Sequence, residues 1–279
     1  MQIIDTHQHL WNLEQFSYSW CGTIPELNRS FHLDDYLEAT RGLEVPMTVF
    51  MEADVDEPFI LKEAQYVLGL AGQANPIEGV VAAGRPEKDD FHSYLDRLAG
   101  NPKLKGIRRV LHTQPDDVSE SKRFVDNIKL LAQYQLTFDI CVLARQLPQA
   151  ISLVTKCPEV SFILDHCGNP MVVTRQMEPW RSEIRRIADL TNVVCKISGI
   201  VVNADRRNWT AEDLRPYIEH VIEVFGWDRV IFGSDWPVCT LASSYRCWVE
   251  TLTSIISGAN ETEKQRLFYD NAARTYRLG

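Results

Sequence analysis

The chain has 279 residues, 45% of them hydrophobic and 24% charged, with a formal net charge of -9, which is the profile of a globular protein able to bury one large core. An acidic total without a clustered basic patch argues against nucleic acid and against an anionic membrane as partners. The N-terminus lacks the basic start and long apolar core of a signal peptide, and no apolar run reaches the length of a membrane span, so a cytoplasmic location is expected.

The opening stretch reads Gln-Ile-Ile-Asp-Thr-His-Gln-His-Leu-Trp from Gln2 to Trp11 and predicts a strand. Period-two geometry places His7 and His9 on one face and Ile4 and Thr6 on the other, so the two imidazoles can share one ligand. Taken alone, the pair fits an edge strand with two polar outward positions better than a ligand site, because so short a motif matches by chance. Residues 12–31 form a long aromatic connection with Phe16, Tyr18, Trp20 and Pro25, suited to a lid or binding loop or to a satellite hydrophobic cluster. A helix is expected over 33–40, stopped by Gly42.

From there the pattern alternates. Strands are expected over 46–52, 78–84, 105–111, 136–142, 160–166, 193–198 and 229–235. The helices between them cover 57–73, 90–99, 119–134, 147–156, 179–190 and 211–225, with one more over 244–256 and a last one over 261–276. Pro58 opens the first of these in the position proline tolerates, and Ile60, Leu61, Ala64, Val67, Leu68 and Ala71 form its apolar stripe. Thr210 is a suitable N-cap for 211–225, whose buried face is Leu214, Tyr217, Ile218, Val221, Ile222 and Phe225. Eight strands, each followed by a helix, predict a single α/β domain over 1–279, a (β/α)8 TIM barrel with an extra C-terminal helix. An open doubly wound sheet shares the alternation, but no Gly-x-Gly-x-x-Gly turn follows the first strand.

In such barrels the active site lies at the C-terminal ends of the strands. Those ends carry His7 and His9, then Glu52, Arg108 and Arg109, Asp165 and His166, Lys196 and Ser198, and Ser234 and Asp235. Charged groups in a core are costly unless paired, so their recurrence at one end points to a shared polar cavity. Three imidazoles and a carboxylate can hold one divalent ion, or can hold a water and a polarised carbonyl without metal. Either way Asp235 is the natural proton acceptor, and the chemistry is hydrolysis at a carbonyl. Arg108 and Arg109 alternate faces, so only one can point into the barrel. Lys196 is placed to contact substrate or to neutralise Glu52. Trp11, Trp20 and Trp236 could wall a sugar ring or pack at the barrel mouth. His32, His92, His112 and His220 fall in loops and helices and are read as surface. The seven cysteines contain no Cys-x-x-Cys pair and read as reduced thiols filling core space.

His7-Gln-His9 closing the first strand, Asp165-His166-Cys-Gly168 the sixth and Gly233-Ser-Asp235-Trp-Pro237 the eighth, with Asn271-Ala-Ala-Arg in the last helix, together resemble the amidohydrolase superfamily. Tyr18 to Trp20, Lys105-Gly-Ile-Arg-Arg109 and Lys196-Ile-Ser-Gly199 are similar to its branch of lactone hydrolases acting on L-fuconolactone, L-rhamnonolactone and 2-pyrone-4,6-dicarboxylate. Binuclear members carry a bridging lysine or glutamate on the fourth strand and a histidine at the end of the fifth. Here arginines occupy the fourth strand, and the fifth carries Asp139 and Cys141. The resemblance therefore implies at most one divalent ion, zinc held by His7, His9, His166 and Asp235, or none. It also implies Arg109 as the arginine facing the site.

The expected activity is a lactonase opening a sugar-acid lactone to its aldonic acid. Asp235, His166 and Arg109 form the expected catalytic set, and Trp11, Trp20, Lys196 and Trp236 the substrate contacts. The rivals are a single-metal decarboxylase or amide hydrolase, and a barrel that binds a sugar acid without turning it over.

Overall fold

The computed structural model describes all 279 residues. Eight parallel strands stand side by side in chain order: β1 (Gln2–Gln8), β2 (Glu44–Met51), β3 (Ile77–Ala83), β4 (Leu104–Val110), β5 (Thr137–Cys141), β6 (Phe162–Leu164), β7 (Val193–Ile197) and β8 (Val230–Phe232). Each leads to a helix on the outside: α1 (Leu33–Ala39), α2 (Ile60–Ala71), α3 (Phe91–Leu98), α4 (Lys122–Gln133), α5 (Leu147–Lys156), α6 (Trp180–Ala188), α7 (Ala211–Phe225) and α8 (Tyr245–Ile255). This is the expected (β/α)8 barrel. Its seam between β8 and β1 closes by single contacts beyond the end of β8. Trp236 and Gln8 form a parallel bridge, the His9 amide donates to the Trp236 carbonyl (2.8 Å), and the Asp235 amide donates to the His7 carbonyl (2.8 Å).

Strands buried on both faces need apolar residues on both, and two separate cores result. The outer one packs the sheet against the helices, with Ile3, Phe50, Ile107, Phe138 and Phe232 facing outward. The inner one fills the barrel with Ile4, Val49, Met51, Val81, Ile163 and Ile231. Ile4 thus shares the barrel interior with His7, contrary to the face assigned by simple alternation. A register irregularity between Asp5 and Gln8 shifts the parity along β1.

The C-terminal segment closes the barrel floor. The continuous helix expected over 261–276 is three pieces: α9 (Glu261–Gln265), a π-helical turn (Arg266–Asp270) and α10 (Asn271–Tyr276). Ala272 and Tyr276 join the inner core, and the Asn271 side chain donates to the Trp227 and Val230 carbonyls at 2.7 and 2.8 Å, fixing the segment to the start of β8. Residues 12–31 contain two short 3-10 turns (Ser19–Thr23 and Pro25–Leu27) and bury Phe16, Tyr18, Cys21 and Leu27. No helix is long and apolar enough to cross a membrane. All seven cysteines are unpaired, and only Cys247 is exposed.

Candidate active site

The strands expected over 160–166 and 229–235 end early because the backbone turns left-handed where the site begins. His166 and Cys167 have φ of 54° and Asp235 has φ of 60°, a region that non-glycine residues seldom occupy outside turns and functional sites. These turns carry His166 and Asp235 off the ends of β6 and β8. Gly199, after β7, has φ of 60°, and a Cβ there would lie 2.4 Å from His166 Nδ1. Only glycine therefore lets the His166 ring sit where it does.

Asp235 Oδ1 is 3.3 Å from His9 Nε2 and 3.6 Å from His7 Nε2. The His7 ring centroid is 4.8 Å from that of His9 and 4.4 Å from that of His166. The tautomers follow from the partners. His9 Nδ1 is 2.8 Å from the Met51 carbonyl, which can only accept. Nδ1 therefore carries a hydrogen, and Nε2 faces Asp235. His166 Nδ1 meets Ser198 Oγ at 2.9 Å, leaving Nε2 for the cavity. Burial, then the Lys196 and His166 charges, outweigh Asp165 and hold His7 well below the usual imidazole range; burial likewise lowers His166.

Beneath this cluster runs a buried charge network. Arg108 Nε donates to Glu52 Oε1 (2.7 Å), its Nη2 to the Glu52 carbonyl (2.7 Å), and its Nη1 stands 3.2 Å from His7 Nε2. Lys196 Nζ pairs with Asp139 (2.7 Å) and Asp165 (2.9 Å). Burial pushes the Asp165 carboxyl up, but the Lys196 ammonium and His7 reverse this and hold it well below the carboxylate range. Asp139 is raised to about 6 by burial, against the pull of Lys196.

Above it opens a cavity of about 260 Å³, whose wall includes His9, Trp20, Arg108, His112, His166 and Asp235. The structure brings together His7, His9, His166 and Asp235 as expected, and puts Trp20 on the wall with its Nε1–H donating to the Ala53 carbonyl (2.8 Å). Other expectations are corrected. Arg109 points outward to Glu87 (2.8 Å), and Arg108 takes the inner face, because Ile107, one residue away, packs outward against the helices. Lys196 is fully buried below the cavity and neutralises Asp139 and Asp165, not Glu52. Trp11 is buried against Phe31 and Trp20, with its indole N–H on the Arg29 carbonyl. Trp236 packs between Phe31 and Tyr36. Neither Trp11 nor Trp236 reaches the cavity wall. His112 is not a surface residue: it lines the cavity with Nδ1 3.3 Å from Cys141 Sγ, and burial followed by the Arg108 charge lowers it to about 4. His220 is buried under α6 on the Arg181 carbonyl (3.0 Å).

Alternation alone does not tell Arg108 from Arg109, because a barrel strand is apolar on both faces. Asp54 and His112, which follow β2 and β4, carry no periodic signal.

The donor set suits a divalent ion by type. His7, His166 and Asp235 offer ligand atoms within 4.8 Å of one another, and His9 Nε2 faces the same carboxylate oxygen. An imidazole nitrogen and a carboxylate oxygen 3.3 Å apart are a pair that a proton, a cation or a donating water can bridge. The Arg108 guanidinium approaches the same His7 Nε2 that faces Asp235, at 3.2 Å, so a protein cation already stands beside this donor set.

A family model described as amidohydrolase matches residues 4–278. An L-fucono-1,5-lactonase of Burkholderia multivorans is 30% identical, with 99% of this chain and 96% of that one aligned. An L-rhamnono-gamma-lactonase of Scheffersomyces stipitis is 22% identical over 99% of both chains. The crystal structure of an amidohydrolase from Burkholderia multivorans with bound zinc superposes with a TM-score of 0.91 at 27% identity over the whole of both chains.

Proposed function

The chain belongs to the amidohydrolase family, and from that premise we propose that it is a lactonase that hydrolyses a sugar-acid lactone of the fucono or rhamnono kind to the aldonic acid. The observation that carries this reading is Asp235, a buried carboxylate facing two imidazoles at the base of a cavity of about 260 Å³. That space suits one lactone ring and is small for an extended substrate. The lactone-named relatives support the same substrate class.

The residues divide the work as follows. A water held between Asp235 Oδ1 and His9 Nε2 gives a proton to Asp235 while its oxygen attacks the lactone carbonyl. The carbonyl π electrons move to oxygen, and the Arg108 charge and the His166 imidazole face that oxyanion across a site largely screened from bulk water. Collapse breaks the bond to the ring oxygen, which takes the proton back from Asp235 and leaves as a hydroxyl. The product is the open aldonic acid, which ionises and acidifies the medium. Glu52 and Asp165 hold Arg108 and His7 in place, and Ser198 orients His166. A divalent ion held by His7, His9, His166 and Asp235 would add polarisation of the carbonyl and acidify the bound water.

A pH-indicator assay over fucono-, rhamnono-, galactono- and dicarboxylic lactones tests the proposal. Turnover of at least one sugar lactone is expected, with kcat in Asp235→Asn lower by roughly 10²–10⁴-fold. No turnover of any of them, or an Asn variant as active as wild type, ends it.

A further inference from the structure

Asp54 follows β2 at the cavity wall and takes no part in the chemistry above. Its backbone is left-handed, with φ of 51°, and its amide donates to Glu52 Oε2 at 2.7 Å. Both Glu52 carboxylate oxygens are thereby used, one by Arg108 and one by this turn. The Asp54 carboxylate, in contrast, has no short partner. Its nearest cation is Arg85, at 3.8 Å, whose other guanidinium nitrogen donates to the Gly84 carbonyl. A left-handed turn that sets at a cavity wall a carboxylate with no hydrogen-bond partner, held only by a loose ion pair, is an arrangement with a use for ligand binding.

Counted with Glu52 behind it and Arg85 3.8 Å from Asp54, the cavity wall sets three carboxylates against two guanidiniums and is acidic by one charge. Its ionic side chains are Asp54, Asp235 and Arg108. Arg108 is matched at 2.7 Å by Glu52 behind it. Lys196 is spent on Asp139 and Asp165, and Arg109 on Glu87. His112, lowered to about 4 by burial and then by the Arg108 charge, adds no positive charge at neutral pH. Burial, then Glu52, raise the Asp54 carboxyl to about 6, so it is ionised at neutral pH.

We infer that Asp54 determines specificity, its carboxylate accepting hydrogen bonds from the hydroxyls of a neutral lactone and, with Asp235, excluding lactones that carry a carboxylate. This rests on the lactonase reading and narrows it to uncharged polyhydroxylated lactones. Ring opening makes a carboxylate inside the same acidic wall, so the filter that admits the substrate also repels the product.

The test uses the full-length protein and Asp54→Asn, which removes the charge, keeps the size and tolerates the left-handed backbone. Asp54→Gly, free of strain at that position, is the second variant. Two readouts are paired: the ratio of kcat/KM for L-fuconolactone to that for 2-pyrone-4,6-dicarboxylate, and calorimetric binding of L-fuconate, which needs no turnover. Removing a partly buried charge near the ligand is expected to lower the ratio and tighten L-fuconate binding, each by on the order of tenfold. Unchanged L-fuconate affinity in both variants, or an unchanged ratio, overturns the inference. Wild type that hydrolyses neither lactone rejects the lactonase reading, while tighter L-fuconate binding by the variants would still uphold the charge filter.

Discussion

Arg108 and Arg109 leave β4 on opposite faces, and each ends on its own carboxylate, Glu52 inside the barrel and Glu87 outside it. The consequences of losing them differ. Removing one member of a buried pair strands the other charge and costs about 3–5 kcal/mol. Arg108→Met is therefore expected to lower the unfolding free energy in urea by about that much and to remove most of the activity. Adding Glu52→Gln to it should recover a large part of the stability and none of the activity. Arg109→Met should keep kcat near wild type, because its partner Glu87 lies outside the barrel. Equal losses of kcat at the two positions would show that the inner face does not decide their roles. The residue types at strand ends announced a polar cavity, but which of two adjacent arginines enters it depends on pairing across β3, β4 and β5, which no single strand reveals.

At the scale of elements, the site is made where strands stop. β6 and β8 are three residues each, and the left-handed turns at His166 and Asp235 do what longer strands could not, aiming two side chains at one point. Periodicity saw apolar runs ending in polar residues and extended the strands through them. The other end of the barrel shows the same limit: one helical period over 261–276 conceals a π-helical turn that redirects α10 so that Tyr276 enters the barrel. Its hydroxyl donates to Asp139 Oδ2 at 2.7 Å, and Asp139 pairs with Lys196, which pairs with Asp165. Tyr276→Phe deletes a hydrogen bond to a charged group and is expected to cost about 1.5–3 kcal/mol in urea unfolding, with kcat largely kept. A loss of kcat as deep as that of Asp235→Asn would instead make the Tyr276 to His7 chain part of catalysis.

The molecule as a whole carries a buried acid outside the site. Glu63 on α2 is 1% exposed, accepts from the Tyr18 hydroxyl at 2.7 Å, and is raised from 4.5 to about 8 by burial and then by Glu52. Below about pH 4.5 the folded and unfolded chains both hold this proton, and it costs nothing. Between 4.5 and 8 the unfolded chain releases it while the folded one keeps it, so stability is lost as pH rises through that window and levels off above it. Glu63→Gln should therefore gain Tm over wild type increasingly from about pH 5 to about pH 8.5, as read by thermal unfolding; a constant difference would mean that Glu63 ionises normally. Helix stripes, apolar strands and polar strand ends are local patterns, and they determined the eight-fold alternation, the barrel and the meeting of His7, His9, His166 and Asp235. Tertiary structure alone decided that Ile4 faces inward, that Arg108 enters the site, that Lys196 is spent on Asp139 and Asp165, and that Trp11 and Trp236 pack away from the cavity. Those outcomes turn on bulges, register and ion pairing between residues far apart in the chain, and such terms leave no period in the sequence.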